Sequence, residues 1–379
     1  MDDPHRNDPR NARGDSTDDW YTNPPARSWR RPSDHDGSTG ARAFHAGLPG
    51  YAPTPLHDLP ALAAELGVGR VLVKDESDRL GLPAFKILGA SWACARVLGE
   101  RGATGTDLAS LRAAGPLDLV TATEGNHGRA VARMAGLLSC HATVFVPEGM
   151  TATAAAAIEG EGARVVRVDG GYEHAVGRAA DHARQDPDGR ALVQDTAWPG
   201  YERVPSWIVE GYGTLFAEID EALDAREWPA ADLVTVPVGV GSLAQAALAH
   251  YRDPAWSVAP AVLSVEPVAA PCALASLRAG RSTTVATAGT TMAGLHCAEV
   301  SELAWPLLRD GCDAAVAVSD DQASRAENDL AELGAGAGPC GAASLAGVRA
   351  ALSRPGRREA LGLDGGSTVV LLSTEGARS

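Results

Sequence analysis

The sequence predicts a two-domain α/β protein built on twisted, mostly parallel sheets flanked by helices. Short β-branched runs alternate with longer Ala/Leu/Arg-rich stretches of helical spacing, the order expected when strands are joined by crossover helices. The 379 residues, 45% hydrophobic and 21% charged, suffice for a sizeable core divided in two.

Residues 1 to about 40 are rich in Asp, Arg, Pro, Ser and Asn and lack apolar periodicity. Such a segment cannot offset its ordering entropy by burial, so a mobile N-terminal arm is expected. Within it, "DDWYTNPPARSW" has enough aromatic surface to dock locally. Strands are then expected at "RVLVKDE", "LDLVTAT", "HATVFVPEG", "ARVVRVDG", "ALVQDTAW", "DLVTVPVGVG", "AVLSVEP", "DAAVAVSD" and "STVVLLSTEG". Between them "HGRAVARMAGLL", "TATAAAAIEGEG", "HAVGRAADHAR", "IVEGYGTLFAEIDEALDAR" and "SLAQAALAHYR" carry apolar residues at helical spacing. The expected domains are a larger one from 41–89 plus 216–379 and a smaller one, 90–215, inserted into it.

A net charge of -15 argues against nucleic acid or an anionic membrane as partner, since both demand a basic face. No apolar run nears the roughly 18 residues of a membrane span. The opening "MDDPHRNDPR" lacks the order of a signal peptide, so the cytoplasm is the expected compartment. The six cysteines are scattered without a CxxC pair, and His127, His141, His174 and His182 form no HExxH pattern, so no metal site is expected.

Of 33 basic residues only Lys74 and Lys86 are lysines, leaving 31 arginines (33 minus 2). A desolvated lysine can lose its proton and condense with a carbonyl, which arginine cannot do. Lys86 follows Phe85 at the mouth of a helix, where an aromatic wall and burial are expected to depress its pKa; the alternative is an exposed first-turn residue. Lys74, before "DES", reads as the structural partner of a nearby carboxylate.

Ligands in open α/β sheets collect at the carboxyl ends of strands, and three further loops there stand out. In "TATEGNHGRAVARMA" a helix begins near Asn126 with free N–H groups suited to an anion. Asn126 is either a donor and acceptor for a ring substituent or a helix cap. In "VPVGVGSLAQ" the turn at Gly239, Gly241 and Ser242 points amides and a hydroxyl at a phosphate, without the lysine of a nucleotide P-loop. In "VVLLSTEG" the hydroxyls of Ser373 and Thr374 end a buried strand, to meet a ring nitrogen or simply to cap.

Taken together, "KDESDRLGLPAFKILGAS", "ATEGNHGRAVA", "VQDTAWPGYERVPSWIVEGYGTLFAEI", "VGVGSLA", "TTMAGLHCAE" and "LLSTEG" resemble pyridoxal 5'-phosphate (PLP) enzymes of the tryptophan synthase β-type fold, fold type II. Within that group the likeness is to the diaminopropionate ammonia-lyases and covers nearly everything from residue 44 onward. It implies that Lys86 bonds covalently to PLP with Phe85 beside it. Asn126 would meet the ring hydroxyl oxygen, Gly239, Val240, Gly241 and Ser242 the phosphate, and Ser373 the pyridine nitrogen. It further implies catalytic Asp195 for the L-isomer of the substrate, a second acid at Glu124 for the D-isomer, substrate contacts from Thr123, Gly125 and His127, and a homodimer. Without it, Asp195 reads as a cap or turn residue.

The chain departs from its relatives at two places. The acid before "GNHG" is glutamate where the family has aspartate, and "GPCGAAS" has Pro339 and Cys340 where the family usually shows Glu and Ser. The expected activity is PLP-dependent α,β-elimination on 2,3-diaminopropionate. The departures keep open another β-elimination or β-replacement on a serine- or threonine-like or modified amino acid, and a non-catalytic PLP-binding protein stands as the reading from outside enzymes.

Overall fold

The computed structural model describes residues 19–32 and 39–377. Its strands, in chain order, are β1 (Trp20–Thr22), β2 (Leu56–Asp58), β3 (Arg70–Asp75), β4 (Asp118–Ala122), β5 (His141–Pro147), β6 (Arg164–Val168), β7 (Arg190–Leu192), β8 (Leu233–Pro237), β9 (Ala261–Pro267), β10 (Ala314–Val318) and β11 (Thr368–Ser373). Seven form one sheet in the order β1-β10-β9-β8-β11-β3-β2, and four form a second in the order β6-β5-β4-β7. Pairing is parallel throughout the second sheet and through β10-β9-β8-β11-β3 of the first, with antiparallel β1 and β2 at its two edges.

All residues of β8, β9, β10 and β11 are buried. That is why these segments read as near-continuous apolar runs, since helices cover both faces of a parallel sheet. One apolar cluster runs from Leu72 and Val236 of the larger sheet through Leu88 and Phe216 to Leu119 and Val144 of the smaller. The smaller sheet lies wholly within residues 118–192. The expected domain limits at 89/90 and 215/216 fall inside the helices Lys86–Glu100 and Arg203–Ala225.

Those two helices cross in close contact. A Cβ added at Gly211 would lie 2.4 Å from the Leu88 carbonyl oxygen and 2.8 Å from Gly89 Cα, so only glycine permits this approach. His45 ties a third helix, Thr39–Ala46, to the same crossing. Its Nε2–H donates to the Leu88 carbonyl at 2.9 Å, which leaves Nδ1 to accept from the Thr214 hydroxyl at 2.7 Å.

Lys74 is structural, as its setting beside "DES" suggested. Its Nζ donates to Glu218 Oε2 at 2.6 Å, and Arg79 bridges Glu218 and Glu76 in the same buried cluster. Burial works to lower the Lys74 amine and prevails over the carboxylates, while Glu218, which burial alone would raise, is brought down to about 2 by Arg79 and Lys74.

The expectation of a mobile arm needs correction over residues 19–32; residues 1–18 and 33–38 lie outside the described residues. Trp20–Thr22 pairs with β10, the Arg357 guanidinium lies 4.9 Å from the Trp20 ring, and Asn23 N–H donates to the Asp313 carbonyl at 2.8 Å. An open sheet edge and a cation offer these aromatics the burial that composition alone does not reveal.

Candidate active site

Lys86 opens the helix Lys86–Glu100 with Phe85 as its N-cap residue. The loop before it is stitched to the loop leaving β11: Phe85 N–H donates to the Thr374 carbonyl at 3.3 Å and Gly376 N–H to the Pro83 carbonyl at 3.0 Å. Lys86 Nζ therefore emerges at the carboxyl end of the larger sheet, 5.5 Å from the Phe85 ring centroid and 5.9 Å from that of Tyr212. The two rings pack against each other with centroids 4.7 Å apart.

Asp195, three residues beyond β7, comes from the smaller sheet. Its Oδ2 accepts from Lys86 Nζ at 3.0 Å and its Oδ1 from Gln194 Nε2 at 3.2 Å, so it is a partner of the lysine and not a turn cap. Burial works to raise the Asp195 carboxyl, but His127 and Lys86 outweigh it and hold the group at about 2. The lysine behaves in the opposite way to the depressed amine expected from its aromatic setting. Burial does pull it down, yet Tyr212 and Asp195 hold it above the ordinary lysine value. Neither partner is local in sequence: Tyr212 lies on another helix, and the carboxylate is 109 residues away in the chain.

The loop after β4 places its residues unequally. His127 is buried, its Nε2–H donates to the Val193 carbonyl at 2.8 Å, and its Nδ1 faces Asp195 Oδ2 at 3.9 Å without a hydrogen bond. The hydroxyl of Thr123 is turned under the loop, accepting from the N–H groups of Gly125 and Gly128 at 2.9 and 3.2 Å, so Thr123 holds the turn that was expected to meet substrate through it. Gly125 is the N-cap position, and Asn126 is therefore the first helical residue; its Nδ2 donates to Glu375 Oε2 at 3.3 Å. Glu124 is exposed. Partial desolvation and Glu173 raise its carboxyl while His296 opposes them.

The turn after β8 has the shape of an anion cradle. Gly241 adopts φ +96° immediately before the helix Ser242–Tyr251, and a Cβ there would lie 3.0 Å from both Ala304 Cβ and Leu308 Cδ1. The Ser301 N–H pins the turn by donating to the Val240 carbonyl at 2.8 Å, immediately before the helix N-terminus. At the end of β11, Ser373 Oγ is buried without a hydrogen-bond partner among the described residues, as is Glu375 Oε1. A buried hydroxyl costs stability until it is paired, so Ser373 fits a group that brings its own ring acceptor or donor. Cradle, unpaired hydroxyl and amine thus fit PLP: Lys86 would bond it, Gly239–Ser242 would hold its phosphate and Ser373 would meet its nitrogen. Pro339 and Cys340 begin the helix Pro339–Leu352, and Gly338 N–H donates to the Glu375 carbonyl at 2.8 Å, so this departure forms a helix start beneath the end of β11.

Sequence reasoning passed over Tyr212, Tyr172 and Glu375. Tyr172 OH accepts from Gln194 Nε2 at 2.8 Å and so backs the residue next to Asp195. The bracketing glycines of "GYG" were the available signal for Tyr212. Glu266 is a structural carboxylate that accepts from the N–H groups of Ala273 and Leu274, both at 2.7 Å, at the start of the helix Cys272–Ala279; burial pushes it up to about 7.

Diaminopropionate ammonia-lyase of Salmonella typhimurium is 35% identical over 358 residues, covering 89% of this chain and 88% of that one. The Escherichia coli K12 protein of that name is 35% identical over 354 residues, covering 89% and 87%. The crystal structure of Escherichia coli diaminopropionate ammonia lyase in complex with D-serine has a TM-score of 0.84 at 33% identity and covers 94% of this chain and 93% of that one. The same protein in complex with an aminoacrylate-PLP azomethine reaction intermediate has a TM-score of 0.83, again at 33% identity with coverage of 94% and 93%. Residues 48–375 match the model of the pyridoxal-phosphate dependent enzymes. With that match extending from before β2 to beyond β11, and with a cradle and an amine suited to the cofactor, this chain belongs to that family.

Proposed function

We propose that this chain is a PLP-dependent ammonia-lyase acting on 2,3-diaminopropionate, removing the α-proton and the β-amino group to yield pyruvate and two molecules of ammonia. The observation that carries the reading is the Lys86–Asp195 contact at 3.0 Å. It puts an ionised carboxylate at the amine that would bond the cofactor, which is where an α-proton must be taken. When bound, PLP supplies the electron sink that makes that proton acidic.

The side chains divide the work. Lys86 would hold the cofactor through its amine, within hydrogen-bond reach of Asp195. Asp195 is a weak base while the Lys86 ammonium faces it, although burial, the largest single influence on it, acts to raise it; burial holds the neighbouring His127 imidazole below its ordinary value. Withdrawal of the Lys86 charge would leave burial less opposed and make the carboxylate a stronger proton acceptor. Base strength is thus coupled to the position of the amine. The N–H at the helix start, Asn126, would orient the substrate carboxylate, with Thr123 holding the turn through the Gly125 and Gly128 N–H groups. The unit carrying β4–β7 closes over the substrate to exclude water. The protein works as a cytoplasmic homodimer.

Glu124 is expected to serve the D-isomer poorly, because a misplacement on the order of 1 Å can cost about a hundredfold in rate. The test is to assay pyruvate and ammonia together on L- and D-2,3-diaminopropionate. Two ammonia per pyruvate from the L-isomer, abolished in Lys86→Ala, supports the reading. One ammonia per pyruvate, from serine or another β-substituted amino acid only, replaces it with a different β-elimination, the reading that the helix start at Pro339 and Cys340 motivates.

A further inference from the structure

Tyr212 is fully buried, yet among the described residues its hydroxyl has no hydrogen-bond partner. It is held there by construction. The Gly89–Gly211 crossing leaves no freedom to the backbone beside it, and a Cβ at Gly89 would lie 2.5 Å from Tyr212 Cε1. Its ring packs on Phe85 and lies 5.9 Å from Lys86 Nζ. A phenol desolvated at such cost beside a charged, flexible side chain is a site waiting for a partner. Lys86 has one fixed partner, Asp195 Oδ2, and two further N–H donors to place.

From this arrangement we propose that Tyr212 is a positioning residue that provides a second station for the Lys86 amine, its hydroxyl oxygen accepting from an Nζ–H that Asp195 does not take. The role deepens the reading in which Lys86 and Asp195 share the proton work and rests on it. Without a second acceptor, an amine that leaves Asp195 would have to stay charged among aromatic rings or retreat from the site. Tyr212 keeps it within reach, and burial pushes the phenol itself up to about 12 against the pull of Lys86, so the hydroxyl remains neutral as it does so.

The chain allows a direct test, because it has two lysines and Lys74 is locked in its buried cluster. The cofactor-free protein is pulsed with acetic anhydride across a pH series, and acetylation of Lys86 is read by mass spectrometry of its peptide. In Tyr212→Phe, which keeps the ring and its packing, the half-labelling pH of Lys86 is expected to fall by about half a unit to one unit, the loss of one acceptor for the ammonium. Asp195→Asn is expected to lower it further. An unchanged midpoint in Tyr212→Phe with a lowered one in Asp195→Asn overturns the role of Tyr212 and leaves the Lys86–Asp195 pair standing. An unchanged midpoint in both overturns the pair as well. Should Tyr212→Phe fail to fold, Lys86→Met supplies the reciprocal measurement: loss of the amine is expected to move one tyrosine titration upward in the ultraviolet difference spectrum, and an identical spectrum overturns the proposal.

Discussion

Replacing Gly211 by alanine would show how far the crossing of the helices Lys86–Glu100 and Arg203–Ala225 sets the site. The added Cβ would meet the Leu88 carbonyl oxygen at 2.4 Å, and the obstacle is backbone that cannot rotate aside. Ordinary contact begins at 3.4 Å, so the helices must part by at least 1.0 Å (3.4 minus 2.4). Overpacking of this kind costs about 1–3 kcal/mol. The same displacement moves Lys86 relative to Tyr212 and Asp195, and a shift on the order of 1 Å at reacting groups costs about a hundredfold in rate. Gly136→Ala is the matched control: it lies in the helix Asn126–Leu138 with nothing within 4 Å of the added Cβ. Here alanine is expected to stabilise by up to about 1 kcal/mol, with turnover unchanged. Urea unfolding and kcat on the same preparations decide the matter. A Gly211→Ala protein with parental stability and kcat would refute the claim that this contact sets the catalytic geometry.

Burial holds the His45 imidazole neutral, its pKa lowered to about 3. Its unfolded value is about 6.5, so its contribution is complete above that pH and declines by roughly 1.4 kcal/mol per unit as pH falls toward 3; His45→Gln should flatten the acid limb of the urea-midpoint profile between about pH 6 and 4. Glu218→Gln leaves Lys74 and Arg79 short of a buried carboxylate and should cost about 3–5 kcal/mol by denaturant unfolding. Asp195→Asn should lower turnover of the L-isomer by about two to four orders of magnitude while the absorption of the bound cofactor persists. Lys86→Ala should remove the amine-linked absorption band altogether and with it turnover.

The inner strands were legible because a strand covered on both faces must be apolar at every position, and such runs as "VVLLS" and "TVPV" have few other uses. β1 and β2 were not, since each spans three residues, all of them half-buried in β1 and two of the three in β2, whose partners lie elsewhere. The same contrast governs the site. Lys86, the turn at Gly239–Ser242 and Ser373 stand at strand ends or helix starts, where local residue choice is informative. Tyr212 lies mid-helix at core spacing, and its sequence signature matches any packed aromatic; only its approach to Lys86 from another helix distinguishes it. The raised Lys86 amine was equally hidden, because the groups that raise it, Tyr212 and Asp195, come from another helix and from the smaller sheet.

The two edges of the seven-stranded sheet both come from the first 58 residues, β1 against β10 and β2 against β3. Covering the β10 edge therefore waits on a contact that closes nearly the whole chain, Trp20 against Val316. Until that closure, or in a protein shortened past Thr22, β10 would offer bare N–H and C=O groups, a template for pairing with a second chain. The short N-terminal strand acts as a guard on solubility during folding. Its removal should reveal itself first as concentration-dependent aggregation on refolding, before any loss of chemistry at the distant lysine.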